Sequence, residues 1–361
     1  NNRAEDDDVL GDAYEFLMRH FATESGKSKG QFYTPAEVSR ILSKVIDVKK
    51  ADKPSYTAYD PTCGSGSLLL RVAKEVKEVS AFYGQEMNRT TYNLARMNMF
   101  LHNIGEIDGE TFISSADALI SDDGTRYDYV TANPPFGKKS SMTITNEEGN
   151  LEKQDLSYNR QDFWATTSNK QLNFLQHIKS QLRITGEAAV VLPDNVLFEG
   201  GAGEAVRKEL LKTTELHTIL RLPTGIFYAQ GVKANVLFFD NKPASKDAWT
   251  KDVWIYDYRN NVHHTPKKNP MRMSHLQDFI DVYNTENRHK RKETWSEENP
   301  DGRWRKYHYE EIISRDKTNL DIFWIKDKSL ADLDNFDVLK EHNSIKYLYD
   351  LILYLRISNT S

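Results

Sequence analysis

Between Lys29 and about Asp257, short apolar runs alternate with segments whose apolar residues fall at helical spacing. Such alternation predicts an α/β fold on a doubly wound sheet with helices on both faces. The expected strands are the run closing at Ala58-Tyr59-Asp60, then Val79–Gln85, Thr111–Ile113, Tyr129–Ala132, Glu187–Leu192, Leu216–Leu222 and Ala234–Asp240. Helices are expected from Leu68, over Gln171–Arg183 and over Glu204–Lys212. Leu216–Leu222 and Val232–Asp240 lie close together, with Gly225 and Gly231 between, and should form an antiparallel hairpin that closes the sheet. Ahead of this region, Leu10, Ala13, Phe16, Leu17 and Phe21 give an amphipathic helix over Val9–Phe21, so residues 1–28 read as the end of a helical N-terminal region. The main domain is expected over 29–258. Residues 259–361 have many charges, Trp295, Trp304 and Trp324, and few strand signals, and read as a peripheral, partly helical region. Their last stretch, Ile345–Leu355, is a helix with large apolar residues on more than one face, suited to packing on the domain or to docking on a partner.

The turns between these elements carry candidate chemistry. Pro61-Thr62-Cys63-Gly64-Ser65-Gly66-Ser67 joins a strand to a helix, and Gly64 and Gly66 let its backbone turn sharply against a ligand. Asp60 at its start would repel a pyrophosphate but attract an α-ammonium group. Glu86, at the end of the next strand, is placed to accept hydrogen bonds from ribose hydroxyls. Asp117, in Ser115-Ala116-Asp117-Ala118 after the third strand, could accept from an adenine amino group. An adenine, a ribose and an ammonium in place of a pyrophosphate describe S-adenosylmethionine.

Asn133-Pro134-Pro135-Phe136 stands at the end of Tyr129-Val130-Thr131-Ala132. The Asn side-chain oxygen and the Pro134 carbonyl can each accept one hydrogen of an exocyclic NH2. The prolines stiffen the turn and bring no competing N–H, and the aromatic ring offers a stacking face. Four letters alone fit a rigid Pro-Pro turn equally well; the glycine loop upstream favours the chemical reading.

These stretches, with Gly30-Gln31-Phe32-Tyr33-Thr34-Pro35, Gly84-Gln85-Glu86, Asn159–Trp164, Asn169–Phe174 and Val191–Phe198, resemble the modification subunits of type I restriction–modification systems, which are N6-adenine DNA methyltransferases. The likeness runs from about Leu10 to Trp324. It implies a Rossmann-like class I S-adenosylmethionine-dependent methyltransferase sheet with helical N-terminal and C-terminal extensions. It also implies a cofactor site drawn from Gln31, Phe32, Tyr33, Thr34, Pro35, Asp60, Thr62, Gly64, Ser65, Gly66, Ser67, Glu86, Asp117 and Ala118. Phe32-Tyr33-Thr34-Pro35 would cover the methionine end, with Thr34 near its carboxylate, although a helix start at Pro35 explains that residue too. Ser67 departs from the third glycine of many relatives, a small change at a position where serine caps helices well. The catalytic group would be Asn133, Pro134, Pro135 and Phe136, acting on an adenine flipped from duplex DNA. The polar stretch after Phe136 is too long for an idle loop and reads as a DNA-contacting or cofactor-gating segment. Implied partners are a specificity subunit that holds the DNA, a second copy of this chain, and a restriction (nuclease and translocase) subunit.

Bulk properties sharpen this picture. The formal net charge of the 361 residues is −5, so the chain has no global attraction for polyphosphate, and another chain is expected to grip the DNA. Basic clusters do occur: Lys138-Lys139 follows the candidate turn, and the densest run, Arg288–Lys292, reads as a solvated loop. The single cysteine, Cys63, cannot form an intrachain disulfide, fits a reducing compartment and reads as a small core filler. No apolar run approaches the ~20 residues of a membrane span, and no leader or lipid-anchor motif stands out, so a prokaryotic cytoplasmic enzyme without a membrane partner is expected. His263-His264 has no further ligand at metal spacing and reads as a surface loop; no metal is expected. Asp194-Asn195 could line the site or simply turn the chain.

Three rival readings remain open from sequence. An Asn-Pro-Pro-aromatic turn also serves methyltransferases of a protein glutamine amide or an rRNA amino group, against which the Gly-Gln-Phe-Tyr-Thr-Pro segment weighs. A nicotinamide-dependent oxidoreductase is disfavoured by Asp60 and the glycine spacing. A scaffold that binds the cofactor only to regulate a nuclease would not need the intact turn.

Overall fold

The computed structural model describes residues 34–326, apart from 46–55, 76–78, 103, 105, 108–109, 138, 146–150, 228–231, 266–268 and 286. The expected helices at Val9–Phe21 and Ile345–Leu355, and Gln31, Phe32 and Tyr33, lie outside these residues. The described strands, in chain order, are β1 (Tyr56–Asp60), β2 (Val79–Gln85), β3 (Glu106–Ile107), β4 (Glu110–Thr111), β5 (Ile113–Ser114), β6 (Tyr127–Ala132), β7 (Ser141–Thr145), β8 (Leu151–Asp155), β9 (Leu182–Pro193), β10 (Thr214–Arg221), β11 (Ala234–Asn241), β12 (Asp252–Asp257) and β13 (Trp304–His308). The helices are α1 (Ala36–Val45), α2 (Ser67–Glu75), α3 (Arg89–Leu101), α4 (Lys170–Gln181), α5 (Asn195–Phe198), α6 (Ala202–Thr213), α7 (Gln277–Tyr283) and α8 (Tyr309–Ser314).

Nine strands form one sheet in the order β13-β12-β10-β11-β9-β6-β1-β2-β5. From β9 to β5 every pairing is parallel, which buries both faces and explains why β6 is buried at all six positions. Alternate residues of β9 enter opposite layers: Ala189 and Val191 pack with Leu69 and Ile41, while Val190 and Leu192 pack with Leu175 and Leu210. Helix α1 follows the same logic at helical spacing, burying Val38, Ile41 and Leu42. The sheet order reverses at β1, with β2 on one side and β6 on the other. The crevice at the carboxyl ends of these strands is where open α/β sheets bind ligands.

The hairpin expected near residues 216–240 is present, since β10 and β11 pair antiparallel. It does not close the sheet. β12 pairs parallel to β10, and β13 pairs antiparallel to β12. The reading of 259–361 as peripheral is therefore corrected for residues up to 326: they supply an edge strand and Trp304, which is fully buried. The strand signal of Trp-Arg-Lys-Tyr-His was hidden by Arg305 and Lys306, whose stems lie along aromatic faces. The Arg305 guanidinium stacks 3.8 Å from the centre of the Trp295 ring.

The basic run at 288–292 is only partly a solvated loop. Arg288 pairs with the buried Asp240 at 2.5 Å, and Arg291 lies 4.0 Å over the Tyr283 ring with Nη1 2.7 Å from the Thr218 hydroxyl. Likewise, His264 of the expected surface loop is buried, with Nε2 2.8 Å from the Tyr258 hydroxyl.

The polar stretch after Phe136 contains the β7–β8 hairpin, and then residues 156–169 lie along α4. Polar side chains on that helix hold them there. Gln176 accepts from the Ala165 amide at 2.8 Å and donates to its carbonyl at 3.1 Å, and Asn173 donates to the Thr167 carbonyl at 2.9 Å. Arg160 Nη1 meets His177 Nδ1 at 3.0 Å. A buried side chain that completes backbone hydrogen bonds replaces apolar packing here, which is why α4 shows weak hydrophobic periodicity.

Candidate active site

The carboxyl ends of β1 and β2 gather the acidic residues expected from sequence. Asp60, at the end of β1, is 2% exposed. The Thr62 amide and hydroxyl donate to its Oδ1 at 2.9 and 3.3 Å; among the described residues, no hydrogen bond reaches Oδ2. Burial pushes the Asp60 carboxyl up to about 7, Thr62 offsets part of this, and the nearby Glu86 charge adds to it. Glu86 is raised by its own burial, with the Asn88 and Gly64 amides opposing. Asp117 follows β5: Oδ1 accepts from the Leu119 amide at 3.0 Å and Oδ2 from the Tyr158 hydroxyl at 2.9 Å. Burial, and then the Asp117 charge, push that hydroxyl up to about 12, so it stays a donor. Ala118 is buried beside it.

The glycine loop bends through positive φ at Gly64 (55°) and Gly66 (80°), which side chains rarely adopt. The Ser65 and Ser67 hydroxyls lie 2.9 Å apart. Cys63 is the small filler expected: it packs on Gly84, where an added Cβ would come within 3.0 Å of its sulfur. A Cβ at Gly84 would also come within 2.7 Å of Ile113 Cδ1 on β5, so glycine fits between the loop and that side chain.

The Asn133–Phe136 turn leaves β6 at the switch point. Asn133 Nδ2 donates to the Thr34 hydroxyl at 3.0 Å, bringing the segment ahead of α1 onto the turn. Asn133 Oδ1 is buried and has no hydrogen-bond partner among the described residues. A buried amide oxygen left so costs about 1–3 kcal/mol, and such an atom marks where a donor belongs. Pro35 is buried just ahead of Ala36, and its carbonyl accepts from the Ser39 amide, so the helix-start reading of Pro35 holds as well.

Beyond Phe136 opens a cavity of about 440 Å³ lined by Phe136, Gly137, Gln171, Pro193, Asp194, Asn195, Val232 and Lys233. The Phe227 ring meets Phe136 edge to face at 5.4 Å and 82°. Asp194 and Asn195 thus line this cavity as well as turning the chain. Cofactor-type residues lie on the β1, β2 and β5 side, the cavity lies on the β9 and β11 side, and the turn stands between.

The N-6 DNA Methylase family model matches residues 5–323. The chain is 37% identical to the StySJI methylase subunit of a type I restriction enzyme from Salmonella typhimurium, over 92% of this chain and 68% of that one. It belongs to the N-6 DNA methylase family.

Among solved structures, the fold of this methylase matches the EcoKI M protein of a type I restriction enzyme, with a TM-score of 0.68, 33% identity, and coverage of 90% of this chain and 76% of that one. A Listeria monocytogenes protein described as a candidate class I S-adenosylmethionine-dependent methyltransferase shares the fold at 16% identity, with a TM-score of 0.53 over 70% of this chain and 73% of that one. The sheet is thus of the class I methyltransferase type. The buried Asp60 carboxyl, with one oxygen that accepts no hydrogen bond among the described residues, stands beside the glycine loop and can accept from a cation.

Several residues of this methylase's site escaped sequence reading. Asn98 on α3 is fully buried and donates to the Ser65 carbonyl at 2.9 Å, holding the glycine loop. Asn169 caps α4 and donates to Glu199 at 2.7 Å, and Gln171 donates to the Pro135 and Gly137 carbonyls. The one available signal was a polar residue at a core-facing helical position.

Proposed function

We propose that this chain is the modification subunit of a type I restriction–modification complex, methylating adenine N6 in duplex DNA with S-adenosylmethionine as donor. The observation that carries this reading is Asn133 Oδ1, buried and without a hydrogen-bond partner among the described residues, in the same turn as Phe136, which lines a cavity of about 440 Å³.

A paired adenine must leave the duplex to reach this turn, at a cost of about a few kcal/mol. Phe136 stacks on the flipped base. Asn133 Oδ1 and the Pro134 carbonyl accept the two N6 hydrogens, which draws the nitrogen lone pair out of conjugation and aims it across the switch point. On that side Asp60 meets the donor's ammonium, Glu86 its ribose hydroxyls and Asp117 its adenine amino group. Asp117 keeps Tyr158 as a neighbour on the same oxygen, and a carboxylate oxygen has lone pairs for both. S-adenosylmethionine supplies a methyl group on a sulfonium, ready for direct displacement. The protein contributes position and oriented acceptors rather than a strong base. With a net charge of −5, the chain relies on a specificity subunit to hold and select the DNA, in a complex with a second copy of itself.

The test is transfer of labelled methyl to duplex DNA, with and without the specificity subunit expressed alongside. Label on adenine N6 only in its presence is the expected result. Label on a guanine amino group or a protein glutamine, with DNA left unlabelled, would reassign the substrate.

A further inference from the structure

We infer that Gln171 is a positioning residue for methyl transfer: its side-chain amide brackets Phe136 and fixes the exit of the catalytic turn. The inference rests on the adenine-methylating reading above and assigns a role within that site. Gln171 is 2% exposed in the first turn of α4. Its Nε2 donates to the Pro135 carbonyl at 3.0 Å and to the Gly137 carbonyl at 2.7 Å, one on each side of Phe136. Both hydrogens of the amide are used, and the flipped amide would set its oxygen against two carbonyls, so its orientation is settled.

The turn needs such an external clamp. Pro134 and Pro135 have no N–H with which to pin themselves. Gly137 is free to rotate: a Cβ added there would meet nothing within 4 Å. Without the clamp, the peptide planes that carry the Pro135 and Gly137 carbonyls can turn, and both the ring and the neighbouring Pro134 carbonyl lose their aim. Gln171 is itself held, because its backbone amide is capped by Asn169 Oδ1 at 3.0 Å. α4 therefore acts as a rigid arm.

The experiment uses the full chain with its specificity subunit and compares the parent with Gln171→Met, of similar length but without a donor, and Gln171→Lys, whose ammonium can reach both carbonyls. Expected for Gln171→Met is a kcat loss of about 100-fold, with S-adenosylmethionine affinity and thermal midpoint unchanged. Gln171→Lys should recover about tenfold of that loss. The inference is overturned if Gln171→Met stays within about threefold of the parent in kcat, or if Gln171→Lys is no better. It is equally overturned if Gln171→Met unfolds or loses cofactor binding, which would make the residue structural. A parent that puts no label on adenine N6 fails the functional reading instead, independently of any variant.

Discussion

The Asn133 side-chain amide donates to the Thr34 hydroxyl at 3.0 Å, across 99 residues of chain. This bond spends the donor half of the amide and turns the acceptor half, Oδ1, toward the site. Thr34, itself part of the expected cofactor segment, therefore orients the candidate acceptor as well. Replacing Thr34 by Val removes the acceptor for Nδ2 and frees the amide to rotate. The expected loss is about 1 kcal/mol, or about fivefold in single-turnover rate, while Thr34→Ser keeps the parent rate. An unchanged rate in Thr34→Val would show that the bond does not orient Asn133.

Asn133→Ala and Phe136→Ala should separate chemistry from cofactor binding. Removing one preorganised acceptor costs about 100-fold or more in kcat, and loss of the stacking ring weakens the flipped state by about 1–3 kcal/mol. Neither side chain is among the residues expected to hold the cofactor, so S-adenosylmethionine affinity by calorimetry should hold. Near-normal turnover in Asn133→Ala would remove the turn from the mechanism.

Asp60 makes cofactor binding sensitive to pH. Its carboxyl stands near 7 in the unliganded fold, against about 3.9 unfolded. The folded state keeps a proton that the unfolded chain releases between these values, so unliganded stability falls as pH rises through that window. A bound ammonium favours the carboxylate, so binding expels the proton. Affinity should weaken by up to about tenfold per pH unit as pH falls below 7, measured over about pH 5.5–7, where an α-ammonium stays protonated. Asp60→Asn should flatten this dependence, weaken binding and raise the unliganded melting temperature at pH 8. A flat profile in the parent would place the ammonium elsewhere.

Asp321→Ala tests how firmly the chain beyond β12 belongs to the domain. Arg221 is fully buried and bonds the Asp321 carboxylate and the Ile322 carbonyl, with Asp194 Oδ1 3.9 Å away. Arg259 spans the same two acids, at 2.7 Å from Asp194 and 3.7 Å from Asp321. Removing Asp321 leaves a buried guanidinium half-compensated, an expected cost of about 3 kcal/mol in urea unfolding. A loss under about 0.5 kcal/mol, typical of a surface change, would show that Arg221 finds enough compensation in Asp194.

The parallel core was legible because strands buried on both faces are apolar throughout and contrast with the helices between them. The edge was not. β12 and β13 carry Asp252, Arg305 and Lys306 among their apolar residues, and only pairing with β10 and the cover of α7 make them strands of this sheet. The order of the polar stretch before α4 was hidden for a related reason, since buried amides on α4 satisfy its backbone where apolar contacts would have left a pattern.

The sequence by itself determined where the candidate groups stand: Asp60 at its glycine loop, Glu86, Asp117 and the Asn133–Phe136 turn. Each sits within a few residues of a strand's carboxyl end, and short-range turn geometry is written in adjacent residues. Tertiary structure alone decided which side chains complete that chemistry. Thr34 reaches Asn133, Asn98 reaches Ser65, and Gln171 reaches Pro135 and Gly137. Such contacts depend on how helices settle against a finished sheet, and a buried hydrogen bond between distant residues leaves no periodic trace in either segment.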